Sequence, residues 1–158
     1  MKQLKQELRL LWPFYLDLFL SRTLHFASAF LVLYFLELNF NLFQTSLILA
    51  TLQVSSLIFE IPTGAFADVY GRKLSVLLGY TLEGLGYLSL FFFKEYYAIL
   101  AIFAFIGFAS TFSSGSKEAW IADLVKRKSI LHKFFVKSHS ITSLAYIISG
   151  VLGAFLVK

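Results

Sequence analysis

The charges of this chain are few, and four of them stand together in the run EIPTGAFADVYGRK, residues 60–73. It sets Glu60, Asp68, Arg72 and Lys73 beside Pro62, Gly64 and Gly71, between two long apolar runs. The hydrophobic pattern predicts that one helix ends near Tyr70 and the next begins near Leu74. A helix C-terminus carries partial negative charge and an N-terminus partial positive charge. Asp68 therefore sits at the unfavourable pole of its own helix, and Arg72 and Lys73 at the unfavourable pole of theirs. The cations have a plain explanation, because cytoplasmic loops of membrane proteins collect Lys and Arg. Asp68 needs a partner outside its helix: Arg72 across the turn, or the N-terminus of another helix. Gly71 supplies the turn. Pro62 frees the carbonyl of Ile58 and kinks the first helix. Gly64, one helical turn before Asp68, lets another helix approach closely.

Other ionisable groups fall inside apolar runs, where a charge costs about 2.5–3.5 kcal/mol on insertion and needs a reason. The first run holds Asp17, Arg22 and His25. Tyr15, Arg22 and His25 share a face, whereas Asp17 lies nearer a surface where water can reach it. Arg22 and His25 also read as a buried interhelical pair. Glu83 sits between Gly79 and Gly86, a stripe expected to pack closely against another helix with Glu83 hydrogen-bonded within it. Glu60 shares the stripe of Gly64 and Asp68 and serves either packing or protonation. Lys117 and Glu118 are adjacent, about 100° apart on a helix; Glu118 is expected to face the bundle and Lys117 to snorkel. The chain has no cysteine, which excludes disulfides, thiolate metal ligands and cysteine nucleophiles. His25, His132 and His139 are too far apart for a local metal site, and no nucleophile motif or phosphate-binding glycine loop occurs. The pattern points away from an enzyme and implies no cofactor.

The elements that carry these groups follow from composition. Of 158 residues, 58% are hydrophobic and 15% charged, with a mean hydropathy of +0.76. Soluble domains run nearer half apolar and about a quarter charged. Apolar runs of about twenty residues recur, the length a bilayer span requires. The expectation is an all-α, multi-pass membrane protein in contact with the lipid bilayer. Its spans are predicted at residues 11–36, 43–70, 74–93, 98–124 and 134–157. Pro13 falls in the first turn of the first span, where a missing N–H is tolerated. The basic start and Ala27-Ser28-Ala29 imitate a signal peptide. Asp17 and Arg22 interrupt its apolar region, however, and the run continues to Leu36, so the segment reads as a retained helix. Lys2, Lys5, Arg9, Arg72, Lys73, Lys126, Arg127, Lys128, Lys133 and Lys137 fall on one side of the membrane, Lys94 and Lys158 on the other. This predicts a cytoplasmic N-terminus. The net charge of +5 is read as that topology signal and not as a nucleic-acid surface.

Residues 64–73, GAFADVYGRK, resemble the G-x-x-x-D-x-x-G-R-[RK] loop signature of the major facilitator superfamily, between its second and third helices. Glu60-Ile61-Pro62-Thr63 resembles the E-x-P-T lead-in of bacterial and archaeal members. Residues 114–123, SGSKEAWIAD, are similar to the helix 4 segment of the same subgroup. The resemblance covers the whole chain and corresponds to the first five of the family's usual twelve helices. It implies part of the N-terminal six-helix bundle of the family's transporter fold, in the cell membrane. It further implies that Asp68 binds the N-terminus of a helix in the second half, that Gly64 permits this contact, and that Arg72 pairs with Asp123. Asp123 is itself at the unfavourable pole of its helix, which reaches the same residue by electrostatics. Gly64, Asp68, Gly71, Arg72, Lys73 and Asp123 would then form a gate motif that holds the two halves together while the cavity faces outward.

In the family, helices 1 and 4 line the central cavity, so Arg22 and His25 become the leading candidates for substrate or proton contact. Glu118, Glu60 and Glu83 are further candidates, with Glu83 on a peripheral helix where packing is favoured. Two marks of proton-driven export are missing: an arginine in helix 4 before Lys117, and a proline in the run SGVLGA, residues 149–154. The expected function is secondary active transport of a small solute by alternating access, with proton coupling an option and no nucleotide. The alternative is a non-transporting membrane protein or an inactive truncated remnant. Because the sequence stops directly at the end of a span, a fragment lacking the C-terminal half is expected.

Overall fold

A computed structural model describes residues 2–24, 27–125 and 128–156, with side chains from Arg9 onward apart from residues 27–29 and 156. Its elements are helices, with no strand among the described residues: α1 Lys2–Thr23, α2 Ala27–Glu37, α3 Leu42–Tyr70, α4 Arg72–Ser89, α5 Tyr96–Ser113, α6 Ser116–Leu124 and α7 Lys128–Leu156. Three stretches, Leu42–Tyr70, Tyr96–Leu124 and Lys128–Phe155, are long and apolar enough to cross a membrane. The chain divides into two compact units, Phe35–Trp120 and a second formed by Met1–Tyr34 with Ile121–Lys158.

In the unit Phe35–Trp120, α5 packs along both α3 and α4. Lipid supplies little hydrophobic drive between helices, so close packing and interhelical hydrogen bonds must join them. Small residues make that possible here. A Cβ added at Gly107 would overlap the carbonyl of Leu52, and one at Gly79 would lie 2.9 Å from the amide nitrogen of Ser113. Ser55 Oγ donates to the carbonyl of Ala104 at 2.6 Å, and Ser56 Oγ to that of Gly107 at 3.0 Å. Around this seam Phe35, Ile48, Val76, Ile99, Phe103 and Ile106 are buried. The start of α3 is fixed by a capping box. Asn41 accepts from the Gln44 amide at 2.8 Å, and the Gln44 side chain accepts from the Asn41 amide at 2.9 Å.

In the other unit α1 packs along α7. Leu11 and Phe14 of α1 and Ile130 and Phe134 of α7 are buried, and the rings of Tyr15 and Phe134 lie 4.8 Å apart. The i, i+4 spacing of Ile130 and Phe134 puts both on one face, which draws the basic stretch from Lys128 into α7, six residues ahead of the predicted start.

Other bounds differ from the sequence expectation: the first span is represented by both α1 and α2, and α4 ends at Ser89, four residues ahead of the expected end. Pro13 lies inside α1 and not in its first turn, because the helix begins at Lys2. Leu, Lys, Gln, Glu and Arg, all good helix formers, extend it beyond the apolar run. The fourth span is interrupted at Ser114-Gly115, where Gly115 takes φ +63° and separates α5 from α6. A run of serines with a glycine favours such a break, since serine competes for backbone hydrogen bonds and glycine enters the left-handed region freely.

Candidate functional site

α3 ends at Tyr70 and α4 begins at Arg72, so Gly71 alone makes the reversal, with φ 100° and ψ 136°. Its amide still bonds the Ala67 carbonyl at 3.0 Å, and its carbonyl accepts from the Ser75 amide at 3.2 Å. Both helices are thus closed through one residue, in a conformation that L side chains rarely adopt. The reversal brings Arg72 back over the last turn of α3. Its Nη2 lies 3.8 Å from Asp68 Oδ1, with the Asp68 side chain 74% exposed and that of Arg72 32%. An ion pair of this length and exposure adds little stability. The second arm is stronger: Arg72 Nη1 donates to the main-chain carbonyl of Ala119 in α6 at 2.9 Å. One guanidinium therefore ties the α3–α4 corner to α6. Sequence reasoning missed the Ala119 contact, because a main-chain acceptor has no side-chain signature.

Lys73 is exposed, and a Cβ at Gly64 would meet nothing within 4 Å. That glycine is not required by any packing within the described residues, in contrast to Gly79 and Gly107. Asp123 is exposed and belongs to the other compact unit.

Among the candidates that the sequence places inside apolar runs, Glu83 is half-buried on the Gly79–Gly86 face of α4 and accepts from Ser113 Oγ of α5 at 3.3 Å. Ser113 belongs to a serine seam in which Ser56 and Ser110 also meet, Oγ to Oγ, at 3.0 Å. The recurrence of serine at 55, 56, 110 and 113 was the available signal for it. Glu118, expected to face the bundle, is exposed. Lys117, about 100° away on the helix, is half-buried and sets its Nζ 5.9 Å from the centre of the Tyr80 ring on α4. Glu60 is exposed on α3. Arg22 donates from Nη1 to the Tyr146 hydroxyl of α7 at 3.3 Å, its guanidinium carbon 5.9 Å from that ring's centre. His25 lies outside the described residues, as do Lys126, Arg127 and Lys158. Among the described residues no three His, Cys, Asp or Glu side chains come together as a metal site would require.

A family model, that of the Major Facilitator Superfamily, matches residues 11–158. The chain belongs to the major facilitator superfamily. It is 34% identical over 97 residues to the uncharacterized MFS-type transporter YxaM of Bacillus subtilis, a match covering 60% of this chain and 24% of that protein. It is 32% identical over 66 residues to the uncharacterized MFS-type transporter MJ1317 of Methanocaldococcus jannaschii, covering 42% of this chain and 17% of the relative. The matches thus span about a quarter or less of the curated relatives. No solved structure matches the chain significantly. Family membership and the long apolar helices together make this an all-α, multi-pass membrane protein of a transporter family, which points to transport and not to enzymatic catalysis.

Proposed function

We propose that the chain forms part of the first half of a secondary transporter of the cell membrane, with its N-terminus in the cytoplasm, moving a small solute by alternating access. The observation that carries this reading is the Gly71 reversal, with Arg72 set between Asp68 and the Ala119 carbonyl on residues that match the family's gate motif. The short coverage of the relatives supports a second half that this chain does not include. Asp68 points an exposed carboxylate from the C-terminal pole of α3, and the open space at Gly64 beside it is the room another helix needs.

In the outward-facing state Asp68 would take the N-terminus of a helix from the second half, while Arg72 would pair with Asp123 and brace α6. Opening to the cytoplasm breaks these contacts. Arg22 and His25 would serve solute or proton contact, with Glu118, Glu60 and Glu83 as further candidates for protonation. Each contact of a carboxylate with a helix N-terminus is worth about 0.3–1 kcal/mol, up to ~2 when partly buried. Asp68→Asn in the assembled transporter should then shift the inward population by about fivefold.

The chain lacks cysteine, so Val69→Cys provides a unique label within it. Labelling of that cysteine by a membrane-impermeant maleimide from the cytoplasmic side should rise severalfold on Asp68→Asn. An unchanged labelling rate would refute the latch.

A further inference from the structure

Between α1 and α7 lies a cleft of about 570 Å³, within the range of about 300–1,000 Å³ typical of pre-formed ligand sites. Its accessible apolar floor is Tyr15 of α1 and Val136 of α7; Leu11, Ile130 and Phe134 also border it but are buried. Its rim is basic: His132, Lys133 and Lys137 border it, all exposed. Positions 132 and 136 form one i, i+4 row of α7 and positions 133 and 137 another, and all four line the cleft.

The charge of α7 is unbalanced within its own sequence, the facing α1 carrying Asp17 two residues beyond Tyr15. Residues 124–158 contain no Asp or Glu, and the first turn of α7 holds no acid. The positive pole of the α7 dipole and its lysines therefore accumulate at one end of a helix long enough to cross the bilayer. Lys133 and Lys137 repel each other at i, i+4. A soluble anion would answer the rim and leave the floor bare, whereas a neutral lipid would fill the floor and leave the cations. An anionic amphiphile satisfies both.

We propose that this cleft seats one anionic glycerophospholipid, its phosphate held by Lys133 and Lys137 and an acyl chain laid against Tyr15 and Val136. The proposal does not depend on transport, so its success or failure is read separately from that of the gate.

The test uses the full chain in neutral detergent, titrated with dioleoyl phosphatidylglycerol or dioleoyl phosphatidylcholine and read by native mass spectrometry. Each lysine near the surface is worth about fivefold in affinity for anionic lipid, so phosphatidylglycerol should be preferred by about 25-fold. Lys133→Gln with Lys137→Gln should abolish the preference, and Val136→Trp, which fills the cleft, should weaken binding of both lipids. Lys94→Gln, in a different loop, should change neither. Equal retention of the two lipids by the wild-type chain would overturn the proposal. So would a preference that survives the double lysine change, or lipid binding indifferent to Val136→Trp. Displacement of the lipid by inorganic phosphate at equal concentration would also overturn it, as an anion site without a lipid seat. A second copy of the chain occupying the cleft, seen as dimers that phosphatidylglycerol does not dissociate, would do the same.

Discussion

At Gly107 the backbone of α5 comes so near Leu52 of α3 that a methyl group has no room, whereas an added Cβ at Gly150 of α7 meets nothing within 4 Å. The two helix pairs are joined by different means. α3 and α5 meet through small residues, serine hydroxyls that donate to opposing carbonyls, and interlocked aromatic edges such as Phe59 on Phe108 at 4.9 Å. α1 and α7 meet through large rings and one arginine–tyrosine hydrogen bond, with a cleft beside them. Glycine and serine buy a seam with one register, since backbones in contact leave no alternative packing. The α1–α7 pair, with a cleft beside it, leaves space that another molecule can occupy. The same residue type thus has opposite meanings in the two places.

That contrast is broken most severely at Gly107. Gly107→Val should destabilise the chain by about 3 kcal/mol or more, because the neighbour that must yield is backbone. Gly150→Ala should leave stability unchanged or raise it slightly through helix propensity. Thermal unfolding in detergent measures both, and a similar loss at the two glycines would show that the seam is not special. Next in size, Gly71→Ala should cost about 1–3 kcal/mol from its backbone conformation alone, without any lost contact. A cost confined to stability, with α3 and α4 still helical by circular dichroism, would match that cause. The smallest effect belongs to the α1–α7 pair. Tyr146→Phe removes the acceptor of the Arg22 bond and should cost only about 0.6 kcal/mol, the mean for interhelical hydrogen bonds in membranes. A loss comparable to that at Gly107 would mean that α1 and α7 depend on this bond.

The sequence was most legible where a residue has one physical use. Gly71 had to be a reversal, and Glu83 between Gly79 and Gly86 reads as a packing face; both are stereochemical statements. The resemblance carried by residues 60–73 and 114–123 gave the family, which the family match shows. What escaped were relations that no residue type announces. Arg72 chose a main-chain carbonyl, and Arg22 chose Tyr146, 124 positions away. The approach of Lys117 to the Tyr80 ring escaped for the same reason. The extension of α1 to Lys2 and of α7 to Lys128 escaped because hydropathy marks where a helix is apolar, not where it stops being helical.

The capping box at Asn41 has a metric consequence. It pins the first residue of a helix of 29 residues, which at 1.5 Å per residue measures about 43 Å. The hydrocarbon layer is only about 30 Å thick, a depth crossed by about twenty residues. Counted from the cap, those twenty reach Ile61. With the cap at one hydrocarbon boundary, Pro62 to Tyr70 would be surplus length, so that an upright α3 would deliver Asp68 and the Arg72 corner to the headgroup level and a tilted one would draw them down into the hydrocarbon. The exposure of that carboxylate to water is therefore set by the angle of the helix that carries it.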